Sequence, residues 1–246
     1  MKLIDPDPLL RAAADALAPV RDDVVVIGAS AIRVALHGRE VPVSPTSDVD
    51  AGTTVEAAER VVAALEDAGL TRSPEAHERS FTWVRGDDLK VQLIRPFHPF
   101  PKGAARGLPV NNTIPELRIH RVAVAFSDQP HEPRLWCANA AALVALKAQA
   151  FGRTRHDGSP VDRDFSDVVL LLANLLDEIA EQVATDLTMR RRVTDTAQRF
   201  LSDGDAVAGA VRELLATGAH DSAAEARRVI ERAATRCVRR LGTRQG

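Results

Sequence analysis

The chain has 246 residues and a formal net charge of -2, enough length for one large domain or two small ones. Apolar residues make up 45% and charged residues 27%, an ordinary globular balance that excludes a global positive field for recruiting nucleic acid. Two distant cysteines, Cys137 and Cys237, exclude a CxxC zinc site or a disulfide framework. With neither an apolar signal core nor the ~20 uninterrupted apolar residues of a membrane span, we expect a cytoplasmic protein without a membrane partner.

The first half of the chain alternates between predicted helices and strands. Leucine and alanine at helical spacing predict a helix over residues 8–17, and four consecutive β-branched residues predict a buried strand over 24–27. A short helix follows as far as residue 36. Periodicity and turn signals then predict a strand over 47–52 and a helix over 54–68. A hairpin of two strands, 81–85 and 89–95, and a last strand over 117–126 follow. The proline-rich segment 95–115 reads as a long surface loop or lid.

Beyond Pro130 and Pro133 the pattern becomes helical. Apolar stripes at helical spacing predict five helices, over residues 139–151, 163–187, 190–201, 205–216 and 223–241. The sequence therefore predicts an α+β protein, with an α/β domain over residues 1–132 and an all-helical domain over 133–246. We expect a nucleotide-binding cleft between the two halves.

Two carboxylates in the predicted strand 47–52 are the first candidates for chemistry. Asp48 and Asp50 are two residues apart, so an extended backbone places both on one face and Val49 on the other. Their oxygens can converge on a divalent cation, and without a cation or solvent the two like charges repel. Taken alone, an Asp-x-Asp sequence also fits a solvated turn.

A small-residue turn follows the predicted strand at 24–27. At Gly28-Ala29-Ser30 the main-chain N–H groups and the Ser30 hydroxyl can approach a phosphate, and a helix N-terminus favours negative charge. The same residues also suit an ordinary bend from strand to helix. Fewer proteins have the complete order of strand, Gly-Ala-Ser turn, helix, loop and Asp-x-Asp than have either motif alone, so the order is the more specific signal.

This order resembles the DNA polymerase β-like nucleotidyltransferase superfamily. Gly28-Ala29-Ser30-Ala31 together with Thr46-Ser47-Asp48-Val49-Asp50 is most similar to the AbiEii-type toxins of type IV toxin–antitoxin systems. The resemblance implies a mixed sheet of nucleotidyltransferase type in the N-terminal half. It also implies that Asp48 and Asp50 are catalytic metal ligands and that the Gly28-Ala29-Ser30 turn binds the triphosphate.

One position departs from the superfamily pattern. A third carboxylate is usual on a neighbouring strand, and in the matching segment 89–94 that place is taken by Gln92. A neutral amide can bind a metal through its oxygen but cannot act as a base. Another residue must supply the third carboxylate, or the chemistry is weak or absent.

A second set of charged residues lies in the helical half. Lys147 shares a predicted helical stripe with Leu143 and Phe151, a costly place for a lysine unless it snorkels out or meets an anion. Asp164 and Asp167 lie on or beside the inward stripe of the next predicted helix. Acids at a helix N-terminus also have a purely electrostatic explanation, which suits Asp164 better than Asp167.

This second set resembles the second signature of AbiEii-type proteins: a lysine, a nearby arginine, and Arg-Asp-x-x-Asp opening the next helix. The resemblance implies that Lys147 neutralises the triphosphate and that Asp164 is catalytic or structural at the site. It also places Arg153 and Asp167 in the nucleotide-binding set. By this interpretation Asp164 supplies the carboxylate missing at Gln92.

The last predicted helix has a basic face. At ~100° per residue, four arginines fall within an arc of about 80°, with apolar residues roughly opposite: Arg228, Arg232, Arg236 and Arg239. Arg190-Arg191-Arg192 form a second cluster. The face fits either a solvated surface or contact with RNA phosphates, although few aromatic residues are present for base stacking.

The sequence thus predicts an enzyme that moves an NMP from an NTP, with Mg²⁺ or Mn²⁺ as cofactor. By the resemblance, the acceptor is the 3′ end of tRNA and the protein is a toxin with a cognate antitoxin partner. Two alternatives stay open. The acceptor is a protein or a small molecule, or the protein is a non-catalytic nucleotide- or partner-binding relative.

Overall fold

The computed structural model describes residues 1–5, 7–43, 45–75, 77–96, 101–132, 134–151 and 163–242. The chain forms two units. The first comprises residues 1–34 and 45–139, and the second comprises 35–44 and 140–246. We call them the sheet unit and the helical unit.

A mixed sheet organises the sheet unit. Its strands are β1 (Lys2–Ile4), β2 (Val24–Ile27), β3 (Val49–Thr53), β4 (Thr71–Arg72), β5 (Thr82–Arg85), β6 (Leu89–Ile94), β7 (Arg121–Phe126) and β8 (Leu135–Ala138). Their order across the sheet is β1-β7-β8-β2-β3-β6-β5-β4. The pairs β1/β7, β2/β8 and β3/β6 are parallel and the other neighbours are antiparallel. The central strands β2 and β3 therefore sit side by side, and they carry the candidate site.

Helices flank this sheet at α1 (Pro8–Leu17), α2 (Gly28–Ala35) and α3 (Ala58–Asp67), with short 3-10 helices at Ala18–Asp23, Gly103–Gly107 and Ile114–Arg118. α1 starts where expected because the Asp7 carboxylate accepts the Leu9 main-chain N–H at 2.9 Å and caps the helix. All four residues of β2 are buried, as four consecutive β-branched residues predict for a central strand.

Several boundaries differ from the expectations. The expected helix 54–68 starts only at Ala58, because the Thr54 hydroxyl accepts the Ala57 N–H at 3.3 Å and closes a separate turn first. Three short strands, β1, β4 and β8, were not predicted, because they lack both the β-branched run that marks β2 and the hairpin turn that marks β5. β8 lies beyond the expected domain boundary at residue 132 and extends the sheet unit to Asn139.

The described part of the proline-rich segment packs against its surroundings. The buried Arg95 donates from Nε to the carbonyl of Ala105 at 2.6 Å. The Glu59 carboxylate accepts the Ala104 N–H at 2.9 Å. A Cβ on Gly52 would lie 2.7 Å from Cδ1 of Ile114, so the 3-10 helix at Ile114–Arg118 sits directly on β3. This segment therefore covers part of the sheet.

The helical unit contains α4 (Ala140–Ala148), α5 (Arg163–Asn174), α6 (Leu176–Gln182), α7 (Leu187–Ser202), α8 (Gly204–Ala216) and α9 (Ala223–Gly242). The prediction of one helix over 163–187 was wrong, because Leu175 at φ -126° and ψ 19° breaks it into α5 and α6. Apolar periodicity continues through such a break and cannot reveal it.

An aromatic cluster fixes part of the helical core. The rings of Phe151 and Phe165 stack with centroids 4.3 Å apart, and Phe200 meets both edge-on. The whole is an α+β fold with a C-terminal helical region, as the sequence predicts. Among the described helices, none combines the length and the hydropathy that crossing a bilayer requires.

Candidate functional site

The close approach of one carboxylate to one glycine defines the candidate site in the sheet unit. β2 leads directly into α2, and the turn is made by Gly28 at φ +65°, in the left-handed region. A Cβ at this position would lie 2.0 Å from Oδ2 of Asp50. The Asp50 carboxylate therefore rests against the first residue of α2, where main-chain N–H groups have no partner within the helix. Only glycine fits here.

Two hydroxyl groups hold Asp48, one at its main chain and one at its carboxylate. Oγ of Ser30 donates to the Asp48 carbonyl at 3.1 Å, and Oγ1 of Thr46 lies 2.8 Å from Oδ1 of Asp48. Because the Ser30 proton is used in this way, a phosphate at the turn would be met by main-chain N–H groups. The sequence pattern alone assigns no role to Thr46. Its hydroxyl two residues before an acid was the available signal.

The two carboxylates flank a core residue. Val49 is fully buried, whereas Asp48 and Asp50 are half-buried. β3 begins only at Val49, so Asp48 immediately precedes the strand that was predicted to include it. The described residues contain no cluster of three or more His, Cys, Asp or Glu for a metal. Two carboxylates nevertheless suit Mg²⁺, which takes one or two protein carboxylates and completes its shell with substrate phosphates and water.

The register of the sheet locates Gln92. Asp50 on β3 is the direct partner of Gln92 on parallel β6, and Gln92 is in turn opposite Thr82 on β5. Paired residues on adjacent strands share a face, so Gln92 lies on the same side of the sheet as Asp50. The place where the resemblance expects a third carboxylate is thus occupied by a neutral amide beside Asp50.

The charged residues of the helical unit form a buried ion triad. Nζ of Lys147 lies 2.7 Å from Oδ1 of Asp164 and 2.8 Å from Oδ2 of Asp167. The side chains are 13%, 10% and 2% exposed, so all three charges are largely removed from water. The Asp164 contact is a directed hydrogen bond, while Asp167 is held mainly by charge. Lysine on the inward stripe of α4 therefore meets anions.

The triad keeps its lysine charged. Burial lowers the pKa of Lys147, but Asp167 and Asp164 raise it by more, so the net pKa is above the ordinary lysine value. Because the pKa is raised on folding, this stabilisation is complete at neutral pH and is lost only in strongly alkaline solution. Lys147 thus shares its single positive charge between both carboxylates. Arg153, the remaining member of the predicted set, lies outside the described residues.

The cysteines are poorly suited to nucleophilic chemistry. Burial raises the pKa of Cys137 to about 12 and that of Cys237 to about 12. The thiolate is the reactive form of cysteine, and at neutral pH both side chains are thiols. The carboxylates and hydroxyls around Gly28 are therefore the reactive groups to consider in the sheet unit.

Two solved structures resemble this fold. Crystal structures of JHP933 from Helicobacter pylori and of a candidate nucleotidyltransferase from H. pylori both superpose with a TM-score of 0.51 at 13% identity. The matches cover 95% and 97% of this chain, and 90% and 95% of the other two. No protein-family model matches the sequence, and no curated protein matches it. The likeness supports a nucleotidyltransferase-like fold and does not extend to the AbiEii type.

Replacing Gly28 with alanine should disrupt the site without unfolding the protein. The left-handed backbone costs an alanine about 1–2 kcal/mol, and the added Cβ pushes the Asp50 carboxylate from its place. Gly69→Ala is the matched control, because Gly69 has φ +82° and nothing within 4 Å of its Cβ position. Urea unfolding should show a larger loss for Gly28→Ala than for Gly69→Ala, because only the first variant must also displace the Asp50 carboxylate. Equal losses in the two variants would contradict the close approach of Asp50 to Gly28.

Replacing Lys147 with methionine should destabilise the protein by about 3–5 kcal/mol, because two buried carboxylates lose their counter-charge. Adding Asp164→Asn and Asp167→Asn should recover much of this loss in urea unfolding at neutral pH. Lys90→Met is the control, since its ion pair with Glu78 is more exposed and contributes at most ~1 kcal/mol. If Lys147→Met cost no more than Lys90→Met, the triad would not be the buried ion cluster described here.

Proposed function

We propose that this protein transfers a nucleoside monophosphate from an NTP to an acceptor and releases pyrophosphate. The nucleotidyltransferase-like fold supports the enzyme class. The observation that carries the proposal is the contact of the Asp50 carboxylate with the Gly28 turn. Asp48 lies two residues before Asp50, on the other side of the buried Val49 in the sequence. The Asp50 carboxylate and the Asp48 main chain thus lie at the N-terminus of α2, the kind of place where phosphates bind, which supports the proposal.

The roles of the individual residues follow from their contacts. Asp48 and Asp50 would hold a Mg²⁺ or Mn²⁺ ion, which when bound supplies charge neutralisation of the triphosphate and polarises the α-phosphorus. The N–H groups of Gly28, Ala29 and Ser30 would bind phosphate oxygens. Ser30 and Thr46 would fix the Asp48 main chain and carboxylate, so that the pair is positioned before the nucleotide arrives.

The helical unit contributes the remaining predicted residues. In our proposal, as the AbiEii-type resemblance implies, Lys147 neutralises the triphosphate, Asp164 acts in catalysis, and Asp167 and Arg153 belong to the nucleotide-binding set. The contacts of Lys147 support a positioning role, because both carboxylates are bound to its ammonium. While that ion pair persists, Oδ1 of Asp164 stays bound to Lys147, so Asp164 can replace the missing third carboxylate only when the pair opens.

The acceptor is the second part of the proposal. By resemblance to AbiEii-type proteins, we propose the 3′ end of tRNA as acceptor and a growth-inhibiting toxin checked by an antitoxin protein. A protein hydroxyl or a small molecule is the alternative acceptor. Incubation with each labelled NTP, total RNA and total protein identifies the labelled fraction and separates these acceptors directly.

One observation favours a non-catalytic alternative. Gln92 is the in-register neighbour of Asp50, so the face that would bind metal carries a neutral amide where a third carboxylate is expected. A protein of this kind would bind NTP with Mg²⁺ and transfer nothing. Calorimetric binding without any labelled product under Mg²⁺ or Mn²⁺ would establish this alternative in place of the transferase.

Removing either metal-binding carboxylate should abolish transfer. Asp48→Asn and Asp50→Asn keep the shape of the side chain and remove its charge, so each should lower the labelled product at least about a hundredfold. Asp87→Asn is the control, because Asp87 lies exposed in the turn between β5 and β6. If the Asp48 or Asp50 variant retains wild-type transfer, the assignment of the active site is wrong.

Restoring an acid at position 92 should make the protein more responsive to metal. Gln92→Asp sets a second negative charge beside Asp50, so the variant should unfold at a lower temperature in EDTA because the charges repel. Mg²⁺ or Mn²⁺ should raise its Tm more than that of the wild type. Gln92→Asn is the neutral control. An identical metal response in all three proteins would show that no cation reaches Asp50.

A further inference from the structure

The last helix presents a long arginine face that the proposed active site does not use. On α9 the apolar residues are buried and hold the helix against the unit, namely Ala226, Ile230, Ala233, Ala234, Cys237 and Leu241. On another side the exposed arginines recur at every fourth residue, namely Arg228, Arg232, Arg236 and Arg240, with Arg239 beside them. At 1.5 Å per residue the row is about 18 Å long.

Grooves lie along both sides of the C-terminal part of this helix. One groove of about 520 Å³ runs beside α6 and is lined by Leu176, Asp177, Arg236, Arg239 and Arg240. The other, of about 600 Å³, runs beside α7, where Arg190 and Arg191 contribute to the lining together with Leu187 and Leu241. Arg190 and Arg191 of α7 therefore lie near the same end of α9 as Arg236, Arg239 and Arg240.

Local electrostatics explains only part of this arrangement. Arginines in the last turn stabilise the helix dipole, which accounts for Arg239 and Arg240. Arg228 and Arg232 lie well before that turn. The acids in the grooves offer weak neutralisation: Asp177 lies 3.8 Å from Arg240 and Asp195 lies 3.6 Å from Arg191, and all four side chains are more than half exposed. The grooves thus carry more positive than negative charge.

We propose that the arginine face of α9 and its two flanking grooves bind the phosphate backbone of a nucleic acid strand. A regular row of guanidinium groups suits a regular row of phosphates, because each planar fork can contact two phosphate oxygens. If the proposed function is correct, the nucleic acid strand bound by this surface is the acceptor of the NMP. The link between this surface and catalysis therefore rests on the proposed function. The binding itself requires neither an NTP nor transfer.

The contacts should be largely independent of base sequence. The only aromatic residues of the helical unit are Phe151, Phe165 and Phe200, and their rings pack against one another in the core. Base stacking, the usual complement to backbone contacts in single-strand binding, is therefore not provided by α9 and its neighbours. Phosphate contacts made by arginine alone predict an affinity that falls steeply with salt.

Binding of labelled oligouridine to the full chain, measured by fluorescence anisotropy without NTP, tests this surface. The triple variant Arg232→Gln/Arg236→Gln/Arg240→Gln should bind about tenfold or more weakly in low salt. Between ~50 and ~200 mM salt, its slope of log affinity against log salt should be shallower by about 2, at about 0.7 per lost phosphate contact. Glutamine has nearly the helix propensity of arginine, and circular dichroism checks that the fold is kept.

Three exposed arginines of the sheet unit provide the matched control: Arg79, Arg106 and Arg118. Their triple glutamine variant has the same net charge and should bind like the wild type. Equal losses in both triples, no binding by the wild type, or displacement of the RNA by polyglutamate at equal charge would overturn the proposal. Intact RNA binding without NMP transfer would count against the proposed enzyme and support this surface, so the two failures are distinguishable.

Discussion

The contact between the main chain at Gly28 and the carboxylate of Asp50 is the constraint around which the sheet unit is arranged. It requires a residue without a Cβ at the first position of α2, because a Cβ would fall 2.0 Å from a carboxylate oxygen. It also requires β2 and β3 to be antiparallel neighbours, with Ile27 directly opposite Asp50. The buried β-branched residues of β2 provide that pairing. The N-terminus of α2 and the Asp50 carboxylate thus meet directly.

Charge burial imposes a different constraint on the helical unit. One ammonium and two carboxylates are almost completely removed from water between α4 and α5, and such a group is stable only while all its members stay paired. Apolar residues of similar volume often give equal or greater stability in such a place, so the net contribution of the triad to folding is small, although breaking the triad is costly.

The sequence was most informative where one residue type dictates the local geometry. The apolar spacing of α1 and the β-branched run of β2 gave correct boundaries, and α9 has the buried and arginine sides that its helical angles predict. The predicted elements were wrong or missing where a segment has no distinctive pattern of its own, or where the apolar pattern runs on through a break in the backbone. β1, β4 and β8 carry neither a β-branched run nor a hairpin turn, and the helix break at Leu175 lies within an unbroken apolar stripe.

By itself, the sequence determined which residues were worth considering, because acids two residues apart and a glycine at the end of a buried strand are local patterns. Tertiary structure decided how these residues are used. Strand register placed Gln92 beside Asp50, and chain segments 18 residues apart joined the Ser30 hydroxyl to the Asp48 carbonyl. Packing of α4 against α5 gave Lys147 two partners. Such pairings depend on which segments become neighbours, and that is fixed by burying the whole core at once.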